Sequence, residues 1–229
     1  PLYSSAASDV YKRQLPNILT TIRLIAAPMV ALMFLYFTRP YADWAALILF
    51  VGAALTDWLD GFLARAWKQE SKLGRMLDPI ADKAMVVIAL LVLTSIFGLN
   101  PLILLPAAII VFREIFVSGL REFMGDMASS LQVTKLAKWK TTVQMLAIAL
   151  LFAVGIFEFC LEIEPAQQGI SLEPKNPLSH AEISNDFGFC YSGMYFVWYG
   201  GVILLWIAAS LTLITGVDYF RKALPYLRD

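Results

Sequence analysis

The chain has 229 residues, 59% of them hydrophobic and 16% charged, with a mean hydropathy of +0.67. A soluble domain usually holds about a quarter charged residues and under half apolar ones, so a water-soluble fold of this length could not hide so much apolar surface. The formal net charge is zero, which removes any bulk-charge argument for a nucleic-acid partner, and the composition predicts a polytopic membrane protein.

Residues 1–14 are polar, lack periodicity and carry no signal-peptide pattern. They are expected to be a non-native or disordered leader outside the fold. Residues 15–229 are expected to form one membrane domain, opening at Leu15-Pro16-Asn17. Six segments then reach the length of roughly 20 apolar residues that a membrane helix needs. They are Ile18–Phe37, Trp44–Leu63, Ile80–Phe97, Leu102–Leu120, Val143–Phe159 and Tyr195–Val217. Long period-two alternation is absent, which argues against a β-barrel. The expected fold class is therefore all-α, with six transmembrane helices.

The connections alternate in charge. Arg65, Lys68, Lys72 and Arg75 lie between spans two and three; Arg121, Lys135, Lys138 and Lys140 lie between spans four and five; Arg221, Lys222 and Arg228 follow span six. The turn at Gly98-Leu99-Asn100 is uncharged, and the segment 161–193 carries Glu162, Glu164, Glu173, Glu182 and Asp186 against Lys175. Basic connections stay in the cytoplasm. Both termini are expected there, with 161–193 as an external loop in which Pro165, Pro174 and Pro177 break any helix. Cys160 and Cys190 stand at opposite ends of that loop. In an oxidising compartment they could close it as a disulfide; two unpaired thiols are the alternative.

Charges inside membrane spans are costly and usually functional. The end of span two reads Thr56-Asp57-Trp58-Leu59-Asp60-Gly61-Phe62-Leu63-Ala64-Arg65, and the start of span three reads Gly74-Arg75-Met76-Leu77-Asp78-Pro79-Ile80-Ala81-Asp82-Lys83. Residues three, four and seven apart share a helix face. Asp57, Asp60, Gly61 and Ala64 thus form one stripe, and Asp78 and Asp82 stack on another. Asp78 before Pro79 also reads as an N-cap. Antiparallel spans joined by a short basic connection bring the two acidic faces together. Oxygen ligands without His or Cys suit hard divalent ions, and a pair of such ions is a common device in phosphoryl transfer. Ion pairing with Arg65, Arg75 and Lys83 is the structural alternative for one or two of the carboxylates, and tight helix packing is the alternative for the small residues.

The string Asp57-x2-Asp60-Gly61-x2-Ala64-Arg65-x8-Gly74-x3-Asp78-x3-Asp82 resembles, at every fixed position, the signature of the CDP-alcohol phosphotransferases. The resemblance implies that Asp57, Asp60, Asp78 and Asp82 hold two Mg²⁺ or Mn²⁺ ions per protomer, with Asp82 also the catalytic base. It implies that Thr56, Gly61, Ala64, Arg65 and Gly74 accommodate the CDP-lipid, and that the enzyme is a homodimer in the bacterial inner membrane. Pro16 to Arg23 and Arg113 to Glu122 are similar to segments of the bacterial phosphatidylglycerophosphate synthases within that family. So is Lys135 to Thr141, although glycine is commoner there than Ala137.

That likeness implies CDP-diacylglycerol as donor and glycerol 3-phosphate as acceptor. Arg113, Arg121, Lys135, Lys138 and Lys140 gather at the level of the aspartates, where a dianionic acceptor must be held. Ordinary positive-inside charge is the alternative for the lysines, and pairing with Glu114 or an aspartate is the alternative for Arg113. Other acceptors (serine, inositol phosphate or phosphatidylglycerol) would keep the same chemistry, and a cation transporter is the rival from another class. His180 is expected at the surface, and Trp44, Trp198, Tyr195 and Tyr199 as interfacial anchors.

Overall fold

The computed structural model describes residues 2–67, 72–125, 135–167 and 185–227, with side chains at 18–57, 74, 76–125, 139–161 and 188–225. The described residues form six helices and no strand: α1 (Leu2–Tyr36), α2 (Tyr41–Trp67), α3 (Lys72–Ile96), α4 (Pro101–Met124), α5 (Lys135–Gln167) and α6 (Asn185–Leu227). Five of them are long and apolar enough to cross a membrane. In the remaining one, α2, an apolar run is bounded by Asp43 and Asp57, where the described side chains stop.

Several boundaries differ from expectation. Helix α1 begins at Leu2, so the leader continues the first helix instead of standing outside it; the stretch contains no glycine and no internal proline to interrupt one. Helix α3 begins at Lys72 and carries Pro79 inside it, so Asp78 is not an N-cap. Helix α5 runs past Pro165 to Gln167 and α6 starts at Asn185, which shortens the expected 161–193 loop from both ends. A proline in the last turn forfeits only one backbone hydrogen bond and does not stop the helix earlier. His180 lies outside the described residues.

The turn between α3 and α4 has clear local causes. Gly98 takes φ 63°, a left-handed conformation that glycine adopts without strain. Asn100 then caps α4 by accepting from the Leu102 amide at 3.0 Å, with Pro101 in the first turn.

Helix α1 packs on both α2 and α3, α4 on α6, and α5 on α6 and α2. Phe152 centres the core, 6.2 Å from the Phe34 ring and 5.9 Å from Phe50. Small residues bring α5 and α6 together: a Cβ on Gly201 would come within 2.9 Å of Leu151 Cδ2. Trp44, Tyr195 and Tyr199 are exposed, as interfacial residues would be. Trp198 is not: its ring tilts onto Phe97 at 5.1 Å, at the edge of the core.

Cys160 and Cys190 form a disulfide between the ends of α5 and α6, with Cα atoms 6.1 Å apart. Nearby, Arg39 pairs with the buried Asp43 at 2.9 Å and with Glu158 at 3.3 Å. Gly155 leaves the room that this pair occupies on α5. The far end of the bundle is thereby tied across α1, α2, α5 and α6, away from the motif.

Candidate active site

Helices α2 and α3 meet α1 where the motif lies. Arg23, only 2% exposed, donates from one nitrogen, Nη1, to Asp57 Oδ1 at 2.8 Å and Asp82 Oδ1 at 2.7 Å. Thr20, one turn earlier on α1, donates to Asp78 Oδ1 at 2.5 Å. Asp57 and Asp82 remain half exposed, at 49% and 47%. Two carboxylates from different helices thus converge on one cation, as the face argument required. Among the described residues the partner is Arg23, while the Lys83 Nζ donates to Ser118 Oγ on α4.

A divalent ion is a reasonable occupant of this region on two grounds. Asp57 and Asp82 already aim oxygens at a shared point, and the donor set is oxygen only. With Asp78 adjacent, Arg23 leaves the cluster net negative. Among the described residues no three metal-binding side chains close on one position. The side chains of Asp60, Gly61, Ala64, Arg65, Lys135 and Lys138 lie outside the described set. Gly74 is buried in α3. The Thr56 hydroxyl donates within its own helix, to the Ala53 carbonyl at 2.8 Å.

Cationic side chains line the same cavity as the carboxylates. Glu114, Ser118 and Arg121 are spaced four and three apart, so they form one stripe of α4. Lys140 of α5 ion-pairs with Glu114, and Arg121 donates to the Tyr219 hydroxyl at 2.8 Å with its guanidinium over that ring at 5.3 Å. A cavity of about 300 Å³ is lined by Asp57, Pro79, Asp82, Lys83, Val86, Glu114, Arg121, Lys140, Thr141, Gln144 and Met145. Its three cations suit a dianion. A larger concavity, about 610 Å³, runs along α6 beside Leu213, Ile214 and Val217. It holds no comparable opposition of acids and bases, and its Asp218 already pairs with Lys222 at 2.7 Å.

Arg113 is not part of the cavity wall. It turns to α6, with Nη2 3.2 Å from Thr215 Oγ1 and its stem against Gly216, while Nη1 reaches Glu114 at 3.3 Å. An arginine deep in an apolar span takes the polar groups within reach, and here these are the Thr215 hydroxyl on α6 and Glu114 beside it on α4. Sequence reasoning missed Thr20 and Arg23 as site residues. Arg23 carried the same signal as Arg113, a fixed charge inside an apolar span. Thr20 carried none beyond its spacing from Arg23.

Comparison with known proteins agrees with this arrangement. Residues 13–169, from within α1 to the end of α5, match the CDP-alcohol phosphatidyltransferase family. The chain is 59% identical over 220 residues to a protein of Cereibacter sphaeroides named CDP-diacylglycerol–glycerol-3-phosphate 3-phosphatidyltransferase, covering 94% of this chain and 97% of that one. A protein of the same name from Escherichia coli (strain K12) is 43% identical over 137 residues, covering 59% of this chain and 74% of its own. A family match over most of the chain and a relative 59% identical along nearly its whole length show that the chain belongs to the CDP-alcohol phosphatidyltransferase family.

Proposed function

We propose that this membrane protein transfers the phosphatidyl group of CDP-diacylglycerol to the primary hydroxyl of glycerol 3-phosphate, yielding phosphatidylglycerophosphate and CMP. The observation that carries the reading is one cavity lined both by Asp57 and Asp82 and by Lys83, Arg121 and Lys140. The carboxylates suit a reacting phosphate and its ion, and the cations an acceptor that brings its own negative charge. The name borne by the Cereibacter sphaeroides relative supports the same donor and acceptor.

In this reading the acceptor phosphate rests on Lys83, Arg121 and Lys140, and Lys135 and Lys138, on the helix that carries Lys140, add positive charge. Arg113 acts behind them by steadying Glu114. Asp57, Asp60, Asp78 and Asp82 are the residues that would hold Mg²⁺ or Mn²⁺, two ions per protomer. When bound, such ions offset the charge that builds on the attacking and leaving oxygens. Gly61, Ala64 and Gly74 leave space for the CDP moiety, and Thr56 and Arg65 stand beside it.

Asp82 takes the proton of the primary hydroxyl. The new O–P bond forms to the lipid-side phosphorus, the bond from that phosphorus to the bridging oxygen breaks, and CMP leaves with the electron pair. Arg23 holds Asp57 and Asp82 aimed across the gap between α2 and α3. Catalysis is then mostly positioning and charge stabilisation.

The basic connections support a cavity that faces the cytoplasm from a bacterial inner membrane, with both termini on that side. The reading includes a homodimer, on the family resemblance alone. A cation path is disfavoured, because three cations line the cavity. The test supplies purified protein with CDP-diacylglycerol, Mg²⁺ or Mn²⁺, and labelled glycerol 3-phosphate, serine or inositol phosphate in parallel. Metal-dependent lipid labelling confined to glycerol 3-phosphate supports the reading. Labelling by another acceptor keeps the chemistry and replaces the substrate.

A further inference from the structure

Gln144 stands on α5 four residues beyond Lys140, so both side chains share the face of the helix that lines the cavity. It is 3% exposed, yet its Oε1 accepts no hydrogen bond among the described residues. A buried amide oxygen without a partner is unfavourable, and a leucine or methionine would fill the space without that cost. The wall of the site thus carries a neutral polar atom that the described residues do not satisfy.

The charged groups lining the cavity, Asp57, Asp82, Glu114, Lys83, Arg121 and Lys140, suit the charged or reacting parts of a substrate, and Thr141 adds a hydroxyl. An amide both donates and accepts, which matches a hydroxyl that keeps its proton throughout. Glycerol 3-phosphate has one such group, on the carbon between the attacking hydroxyl and the phosphate.

We infer that Gln144 is a specificity-determining residue that hydrogen-bonds the non-reacting hydroxyl of the acceptor, an inference that rests on the reaction proposed above. An acceptor lacking that hydroxyl would leave the amide unpaired in the closed complex. Sites built around a hydrogen bond discriminate against such analogues far more strongly than apolar sites discriminate by size.

The test compares glycerol 3-phosphate with 3-hydroxypropyl phosphate, which keeps the phosphate and primary hydroxyl but lacks the middle one. Initial rates are measured for the full-length enzyme and for Gln144→Met and Gln144→Asn. The wild type should favour glycerol 3-phosphate in kcat/KM by about tenfold or more. Gln144→Met should bring that ratio to within about threefold, by lowering kcat/KM for glycerol 3-phosphate while leaving the analogue unchanged. Gln144→Asn, which withdraws the amide by one methylene, should reduce the ratio as well. A wild type that uses both acceptors equally overturns the inference without recourse to any variant, so it remains testable should Gln144→Met fail to fold. An unchanged ratio in a folded variant overturns it too. Folded wild type that labels lipid from neither acceptor overturns the proposed reaction itself, and the role of Gln144 falls with it.

Discussion

Arg23 holds the carboxylate end of the site together, since one buried nitrogen serves Asp57 and Asp82 at 2.8 and 2.7 Å. Replacing it with methionine leaves two carboxyl groups facing each other across α2 and α3 without their shared donor. Because both acids are half exposed, water screens part of the cost, and metal-free Arg23→Met should lose about 1–2 kcal/mol. Added Mg²⁺ should raise its melting temperature more than it raises that of the wild type, because the ion then supplies the missing positive charge. Equal shifts in the two proteins would show that the carboxylates are not a shared cation site. The contrast with Arg113 shows where sequence reading stops. Both arginines were visible as charges in apolar spans, but which helix each one faces depends on packing. Arg23 meets acids on α2 and α3, whereas Arg113 meets a threonine on α6.

At the scale of elements, α5 and α6 hold each other by close approach. Gly201→Leu should destabilise the protein by about 1–3 kcal/mol through overpacking against Leu151, read as a lower melting temperature in detergent. An unchanged melting temperature would mean that these helices are not in contact there. The Cys160–Cys190 disulfide spans 30 residues, and closing a segment of that length contributes at most about 3–4 kcal/mol. Reduction, or Cys160→Ser, should therefore lower the melting temperature yet leave kcat/KM at moderate temperature unchanged, since the bond lies at the opposite end of the bundle from the cavity. The carboxylate faces were legible from spacing alone, because four-residue repeats survive any shift of helix ends. The ends themselves were not legible: Asp78-Pro79 imitates a helix start, yet α3 begins at Lys72. Asp78 instead accepts from Thr20, a contact set by how α1 packs on α3.

The whole molecule is a six-helix bundle whose acidic motif and cationic wall meet at one end, while its disulfide and the Arg39–Asp43 pair sit at the other. Class and helix order were readable because apolar runs of membrane length have few other destinations. The cavity was not readable, since it needs α3, α4 and α5 side by side, and no local pattern specifies which helices become neighbours. The proposed orientation can be checked with single cysteines introduced into the protein lacking Cys160 and Cys190. A cysteine at Gln69, between α2 and α3, should react with a membrane-impermeant thiol reagent only after the membrane is opened. One at Leu99, 86% exposed between α3 and α4, should react in intact spheroplasts. The reverse pattern would invert the protein and place the active site outside the cell.

The most direct test of the account is transfer of labelled glycerol 3-phosphate into lipid by wild type and by Asp82→Asn, with CDP-diacylglycerol and Mg²⁺ supplied and folding confirmed by melting curves. The account predicts metal-dependent labelling with equivalent CMP release in the wild type, and a loss on the order of 10³-fold in a folded Asp82→Asn. Wild-type activity retained by Asp82→Asn would contradict the role of that carboxylate, and absence of transfer by folded wild type would contradict the reaction itself.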